Sequence, residues 1–178
     1  MNSNTRPGIS IDEDIERLID EYGNDVLRIA YMFLKDKDKA EDAFQEVFLK
    51  VYKKYGSFKG ESTEKTWIIK IAMNVCKDMI KSSWFKRIVF FQEDHEAECK
   101  EDFEELVISK LENEELFNKI LSLPPIFKEV VILYYYQGFT TPEISKILKI
   151  SEGTIRSRLH RSRELLRKSL EERGDKCG

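Results

Sequence analysis

Arg156, Arg158, Arg161 and Arg163 place four guanidinium groups within a few residues of one another, with Thr154, Ser157 and His160 interspersed. A guanidinium fork matches phosphate oxygens and the paired acceptors on a guanine edge, and hydroxyl and imidazole groups add further donors and acceptors. That set suits recognition of a nucleic acid. It does not suit bond-making: the chain shows no nucleophile paired with a base, no glycine-rich phosphate cradle and no completed metal set. Cys76, Cys99 and Cys177 are odd in number and widely spaced, which gives neither a disulfide framework nor a zinc knuckle. His95 and Cys99 have i, i+4 spacing that could hold half a metal site, but no second pair completes it. No metal, cofactor or catalytic residue is therefore expected.

The elements that must position the arginines begin at Thr140. Thr140 and Glu143 stand in the T-x-x-E relation of a capping box, and Pro142 falls in the first turn, where its missing N–H is harmless. Ile144, Ile147 and Leu148 form an apolar face, and after Lys149-Ile150 a second start signal appears at Ser151. Two short helices joined by about three residues make a helix-turn-helix. At ~100° per residue, Ile155, Leu159, Ser162 and Leu166 share the inward face of the second helix. Ser157, His160, Arg161 and Glu164 point the opposite way, and Arg156, Arg158 and Arg163 lie on the flanks. The expected outward surface offers donors to base edges near its N-terminal half and to phosphates along both sides. A solvated cationic helix is the plain alternative.

Charge is unevenly distributed. The 178-residue chain carries a net charge of -3, which taken alone argues against a nucleic-acid binder. Thr140 to Lys168, however, holds eight Lys/Arg against three Glu, a local +5, whereas Lys86 to Glu115 holds four Lys/Arg against eleven Asp/Glu, a local -7. The acidic run Gln92 to Glu105 has few apolar residues and no helical stripe, which suits a flexible connector. The expected architecture is all-α: two small helical domains, residues 11–83 and 111–172, joined by an acidic linker over 84–110, with the helix-turn-helix in the second. Domains of about 70 residues are near the lower limit for a self-sufficient core. No apolar run approaches the ~20 residues needed to span a bilayer, and the N-terminus lacks a signal-peptide core, so a cytoplasmic protein with no membrane insertion is expected.

In the first domain, Ile15, Leu18 and Ile19 form one apolar stripe and Val26, Leu27, Ala30, Tyr31 and Leu34 the next, with a break expected at Tyr22-Gly23-Asn24. A further helix from about Asp38 to Tyr55 has the core face Ala40, Phe44, Val47, Phe48 and Val51. Its other face carries Asp42, Gln45, Glu46 and Leu49. An exposed Leu often means nothing, but ringed by polar groups it also fits the apolar centre of a protein contact, and both readings stand. The loop Gly56 to Thr63 contains Phe58, an aromatic with no helical partner in the sequence pattern. The helix Glu64 to Lys81 follows, with Trp67, Ile68, Ile71, Val75 and Met79 able to turn inward and Lys70, Asn74, Lys77 and Lys81 outward. Such a loop beside Lys and Asn could receive an unstacked base; the alternative places Phe58 and Trp67 in the core.

Four stretches, in order, carry a family resemblance. They are Ala40-Glu-Asp-Ala-Phe-Gln-Glu-Val-Phe-Leu-Lys-Val51; Phe58-Lys-Gly with Thr66-Trp-Ile-Ile-Lys-Ile-Ala-Met-Asn74; Leu123-Pro-Pro with Val130 to Tyr136; and Glu143-Ile-Ser through Gly153-Thr-Ile-Arg-Ser-Arg-Leu to Arg163. Together they resemble the extracytoplasmic-function sigma factors of bacterial RNA polymerase. The resemblance covers about residues 11–83 and 111–170 and implies a non-enzymatic initiation factor for a stress or envelope-response regulon. It implies that Asp42, Gln45, Glu46 and Leu49 meet core RNA polymerase. Phe58, Lys59, Gly60, Ser62, Thr63, Lys70 and Asn74 would take the minus-ten element of promoter DNA, and Thr154, Arg156, Ser157, Arg158, His160 and Arg161 the minus-thirty-five element. It further implies an anti-sigma partner, in many members membrane-anchored, and a linker that threads toward the RNA exit path.

Ser145 stands where the family commonly has Ala. Trp84 to Phe91 is unusually apolar for a linker entry; it extends the preceding helix, covers the core or docks on a partner. Two other functions stay open, a DNA-binding regulator with a strand-containing receiver or ligand domain, and an adaptor acting only through the Leu49 surface.

Overall fold

A computed structural model describes residues 10–90 and 114–174, with side chains from 10 to 82 and from 115 to 171. Every regular element among the described residues is helical. The chain divides into two units between Lys100 and Glu101. The acidic run from Gln92 to Glu105, and with it His95 and Cys99, lies outside the described residues, as does Cys177.

The N-terminal unit holds α1 (Ile11–Leu34), α2 (Lys37–Tyr55) and α3 (Glu64–Phe90), each packed on the other two. Ser10 starts α1 with a capping box: its hydroxyl accepts from the Glu13 N–H at 3.2 Å, and the Glu13 carboxylate accepts from the Ser10 N–H at 3.1 Å. The helix then runs unbroken through Tyr22-Gly23-Asn24, so the break expected there does not exist. Gly23 is buried, and a Cβ on it would lie 3.2 Å from Cε2 of Phe44. Glycine in a helix costs about 1 kcal/mol relative to Ala; here the missing side chain admits the α2 ring instead of breaking the helix.

Lys35, at φ 54°, ends α1 with its N–H on the Tyr31 carbonyl at 2.8 Å, and the Asp36 carboxylate caps α2 through the Lys39 N–H at 3.0 Å. The two-residue connection makes α1 and α2 neighbours in space. Between the three helices lie Leu18, Val26, Ile29, Ala43, Val47, Val51, Ile68 and Ala72, all fully buried. Thr63 caps α3, accepting from the Thr66 N–H at 3.1 Å. Past Lys81, where the sequence pattern ends it, α3 continues through Phe90. Of the three readings of Trp84 to Phe91, helix extension is therefore the one the backbone adopts up to Phe90.

The C-terminal unit holds α4 (Glu114–Ser122), α5 (Pro125–Val131), a π-helical turn (Ile132–Tyr136), α6 (Thr141–Leu148) and α7 (Glu152–Gly174). Pro125 opens α5, where a missing N–H costs nothing. The π turn closes with the Gln137 N–H on the Ile132 carbonyl at 3.1 Å; its extra residue per turn left no mark in the apolar period. At the head of α6, the Glu143 carboxylate accepts from the Thr140 N–H at 2.9 Å and from its hydroxyl at 2.7 Å.

Three residues, Lys149 to Ser151, turn α6 into α7. Lys149 takes the left-handed conformation at φ 56°, and the Ser145 hydroxyl donates to the Ile150 carbonyl at 2.6 Å. The hydroxyl at Ser145, where the family commonly has Ala, thus fastens the turn. The Ser151 hydroxyl caps α7, accepting from the Thr154 N–H at 3.2 Å. Ile155, Leu159 and Ser162 are buried and Leu166 half-buried, the inward face that the sequence arithmetic gives.

A second fastening joins α7 to α5. The Arg158 guanidinium donates to Glu129, itself buried, at 2.8 Å. One turn on, the Ser162 hydroxyl donates to the Arg158 carbonyl at 2.6 Å and reaches the Phe127 carbonyl at 3.4 Å.

Two stability measurements follow from this packing. Gly23→Leu should force Phe44 aside and lower the unfolding free energy by about 1–3 kcal/mol in denaturant titration; an unchanged midpoint would mean the α1–α2 approach is not tight. Arg158→Ala should cost roughly 1.5–3 kcal/mol, because it strips a charged hydrogen bond from a buried carboxylate. A cost below about 0.5 kcal/mol would place Arg158 among ordinary surface residues.

Candidate nucleic-acid interface

On α7, Thr154, Arg156, Ser157, His160 and Arg161 are all exposed, so the structure brings five of the six expected contacts to the open side of the helix. Arg158 departs from them. Expected on an outward flank as a DNA contact, its side chain turns toward α5 and is held by Glu129. The physical reason is the buried Glu129 carboxylate, which must be paired and which no local spacing in the sequence links to Arg158.

Two of the exposed arginines are lightly held. Arg156 donates to Glu152 at 2.8 Å and Arg161 to Glu164 at 2.9 Å, both within one helical turn and with side chains more than half exposed. Arg161, with His160 nearby, holds the Glu164 carboxyl below its ordinary range. Exposed pairs of this kind contribute little to stability, because water screens them. They keep the guanidinium groups extended without competing strongly with a phosphate or a base edge.

In the N-terminal unit, Asp42, Gln45, Glu46 and Leu49 are all exposed on α2, with Leu49 at 55%. Tyr52, one turn further and 45% exposed, enlarges the apolar centre; i, i+3 spacing from Leu49 could have revealed it.

The loop between α2 and α3 is not what the sequence pattern suggests. Phe58, expected to lack a helical partner, has two: its ring centroid lies 5.0 Å from that of Trp67 on α3 and 6.5 Å from that of Tyr55 at the end of α2. Phe58 and Trp67 are each half-buried, so this aromatic floor keeps part of its surface in contact with water. Trp67, Lys70 and Asn74 fall along one stripe of α3 at ~100° per residue. Lys70 is half-exposed and Asn74 exposed. Lys59 and Gly60 are exposed at the loop tip, where Gly60 takes φ +70°, a conformation other residues rarely adopt. Ser62 bonds the Thr63 carbonyl at 3.3 Å, and the Thr63 hydroxyl is occupied with Thr66 at 2.8 Å. The structure thus brings Phe58 onto Trp67 and places Lys70 and Asn74 one and two turns along the same helix, while Thr63 serves the helix start.

Sequence reasoning missed a polar cluster beneath this floor. Arg17 of α1 donates to both carboxylate oxygens of Glu64, at 2.8 and 3.1 Å, and to the Tyr55 hydroxyl at 3.3 Å; that hydroxyl in turn donates to Glu64 at 2.8 Å. The Glu64 bond, opposed in part by burial, holds Arg17 more firmly protonated than a free guanidinium. Burial, with the Glu64 bond, pushes the Tyr55 phenol above its ordinary value. Nothing in the sequence spacing joins Arg17 to Glu64 across 47 positions.

Residues 18–86 match the family model of Sigma-70 region 2, and residues 113–166 that of Sigma-70 region 4. Among curated relatives, the ECF RNA polymerase sigma factor SigW of Bacillus subtilis is 31% identical over 86% of this chain and 87% of its own length. SigM of the same organism is 31% identical over 90% of this chain and 96% of its own. Two solved structures share the fold. The sigma factor RpoE in complex with the anti-sigma factor NepR from Bartonella quintana superposes with a TM-score of 0.71, covering 89% of this chain and 98% of that one at 23% identity. CnrH in complex with the cytosolic domain of CnrY gives 0.66, covering 90% of each chain at 17% identity. The order of motifs, the two matched regions and these relatives agree: the chain belongs to the ECF RNA polymerase sigma factors, alternative sigma factors that act in transcription initiation.

Proposed function

We propose that the two units divide promoter recognition: residues 11–83 engage core RNA polymerase and the minus-ten element, and residues 111–172 read the minus-thirty-five element. The observation that carries this reading is the exposed face of α7, where Ser157, His160 and Arg161 stand open beside Arg156 after a tightly fastened turn. In a helix-turn-helix, the N-terminal half of the second helix meets base edges in the major groove. Arg156, Ser157 and Arg161 are the base-reading groups, Thr154 and His160 lie within reach of the groove wall, and Arg158 positions the helix through Glu129.

The Leu49 and Tyr52 centre, rimmed by Asp42, Gln45 and Glu46, binds core polymerase. Phe58 and Trp67 receive an unstacked minus-ten base, with Lys70 on the backbone and Asn74 on a base edge. Lys59, Gly60, Ser62 and Thr63 shape the loop that admits it. Each captured base offsets a few kcal/mol of unpairing and unstacking, which favours the opened duplex. The protein supplies recognition rather than catalysis.

The chain works in the cytoplasm, where polymerase and promoter are; no helix among the described residues is long and apolar enough to cross a membrane. It is held inactive by an anti-sigma factor, a partner that the similar folds of RpoE with NepR and CnrH with CnrY support. The regulator alternative requires strands in the N-terminal unit, whereas residues 11–90 are helical wherever they are regular. The adaptor alternative leaves the open arginine face of α7 without use.

Two substitutions test the assignment. Arg161→Ala should weaken holoenzyme binding to a cognate minus-thirty-five duplex by about 1–3 kcal/mol; unchanged promoter preference would remove Arg161 from the reading set. Leu49→Asp should weaken binding to purified core polymerase by at least about 1 kcal/mol while leaving the unfolding midpoint unchanged. Wild-type affinity for core would return Leu49 to the ordinary exposed residues.

A further inference from the structure

Tyr55 is the last residue of α2 and Glu64 the first of α3, so the Tyr55–Glu64 hydrogen bond at 2.8 Å joins the two ends of the loop 56–63 directly. Arg17 fixes that junction to α1 through both oxygens of the same carboxylate. The ring of the same Tyr55 lies nearly parallel to Phe58, at 14°, and packs on Trp67 at 6.4 Å. One side chain therefore closes the loop with its hydroxyl and supports the loop's aromatic residue with its ring.

From this geometry we infer that Arg17, Tyr55 and Glu64 form a clasp that preorganises the Phe58 loop for single-stranded DNA, acting as positioning residues that do not themselves touch the base. The inference rests on the reading of the loop as the minus-ten capture site. Its physical basis is the cost of ordering. Holding a flexible backbone in one conformation costs conformational entropy at every residue, and a loop whose ends are already tied and whose aromatic residue is already seated has met part of that cost before DNA arrives. Compact loops with closed ends and internal packing are a recognised functional form.

A purely structural role is the alternative, and the two separate by what changes at temperatures where the protein is fully folded. Losing a stabilising bond lowers the unfolding midpoint under either account. Only the clasp changes the affinity of the folded protein for unpaired DNA, because only there does the free state of the loop spread over more conformations.

The experiment uses full-length chain assembled with core polymerase, at least 15 °C or so below the unfolding midpoint of each variant. It measures affinity for a single-stranded oligonucleotide carrying the non-template minus-ten sequence, with a minus-thirty-five duplex as internal reference. Tyr55→Phe keeps the ring and removes only the hydroxyl. It should weaken oligonucleotide binding about threefold to tenfold, the range of one net hydrogen bond, and leave duplex binding unchanged. Glu64→Ala should weaken it at least as much, and adding Tyr55→Phe to Glu64→Ala should cost little more, because both act through the one Arg17–Tyr55–Glu64 network. Phe58→Ala reports on the loop itself. If Phe58→Ala lowers oligonucleotide affinity while Tyr55→Phe and Glu64→Ala do not, the clasp is wrong and the capture loop stands. If Phe58→Ala has no effect, the capture reading fails and the clasp falls with it. Additive losses from Tyr55→Phe and Glu64→Ala would also overturn the clasp, since independent contributions are not one device.

Discussion

One guanidinium, bonded to Glu21 on its own helix and shared with the Glu64 carboxylate and the Tyr55 phenol, ties together the three helices of the N-terminal unit. Arg17 comes from α1, Tyr55 ends α2 and Glu64 begins α3, and the bonds among them run from 2.8 to 3.3 Å. Apolar burial brings the helices together, but burial is non-directional and leaves their rotation and the loop between them loosely specified. A bidentate arginine–carboxylate pair does have a direction. Asp14, almost wholly buried, lies 3.8 Å from the same guanidinium, so opening the cluster would also take from that carboxylate its nearby positive charge. The aromatic rings of Tyr55, Phe58 and Trp67 pack beside this junction through Tyr55, which belongs to both, and Lys70 and Asn74 follow Trp67 along α3.

The C-terminal unit solves a similar problem with the same chemistry. There the buried carboxylate is Glu129 and the arginine is Arg158, which sets α7 against α5. The Ser145 hydroxyl and the left-handed Lys149 fix the angle between α6 and α7, and Ser162 adds a bond across the packed face. The arginines on α7 thus divide by role. Arg158 faces inward onto the buried Glu129, whereas Arg156 and Arg161 face water and rest on weak local partners within one helical turn.

Much of this was legible in the sequence because the signals were local. Thr140 with Glu143, Ser151 before Thr154, and the inward set of Ile155, Leu159 and Ser162 depend on residues three or four positions apart, the spacing at which side chains on a helix meet. The exposed Leu49 followed from the same arithmetic. What escaped depends on contacts distant in sequence. Gly23 signals a break only until Phe44, from another helix, is known to fill its place. Phe58 looks unpartnered until α3 folds back beneath it, and Arg158 reads as one more surface arginine until Glu129 meets it. The clasp is the extreme case, since Arg17 sits on an ordinary amphipathic helix far from the loop it fastens. Conversely, helical continuation to Phe90 agrees with one of the readings left open for the apolar segment after Lys81.

Family membership and the two surfaces converge on a factor that lends polymerase its promoter specificity. Under the proposed division, the α7 face reads duplex DNA and the Phe58 loop captures unpaired bases, so that one chain carries both parts of promoter recognition. The most direct measurement is run-off transcription with purified core polymerase and this protein on a genomic fragment library from its own source. The account predicts transcripts from a restricted set of start sites, each dependent on the added protein and preceded by shared minus-ten and minus-thirty-five sequences. No promoter-dependent transcript from any fragment, with the protein still shifting duplex DNA alone, would contradict it and return the chain to a DNA-binding regulator.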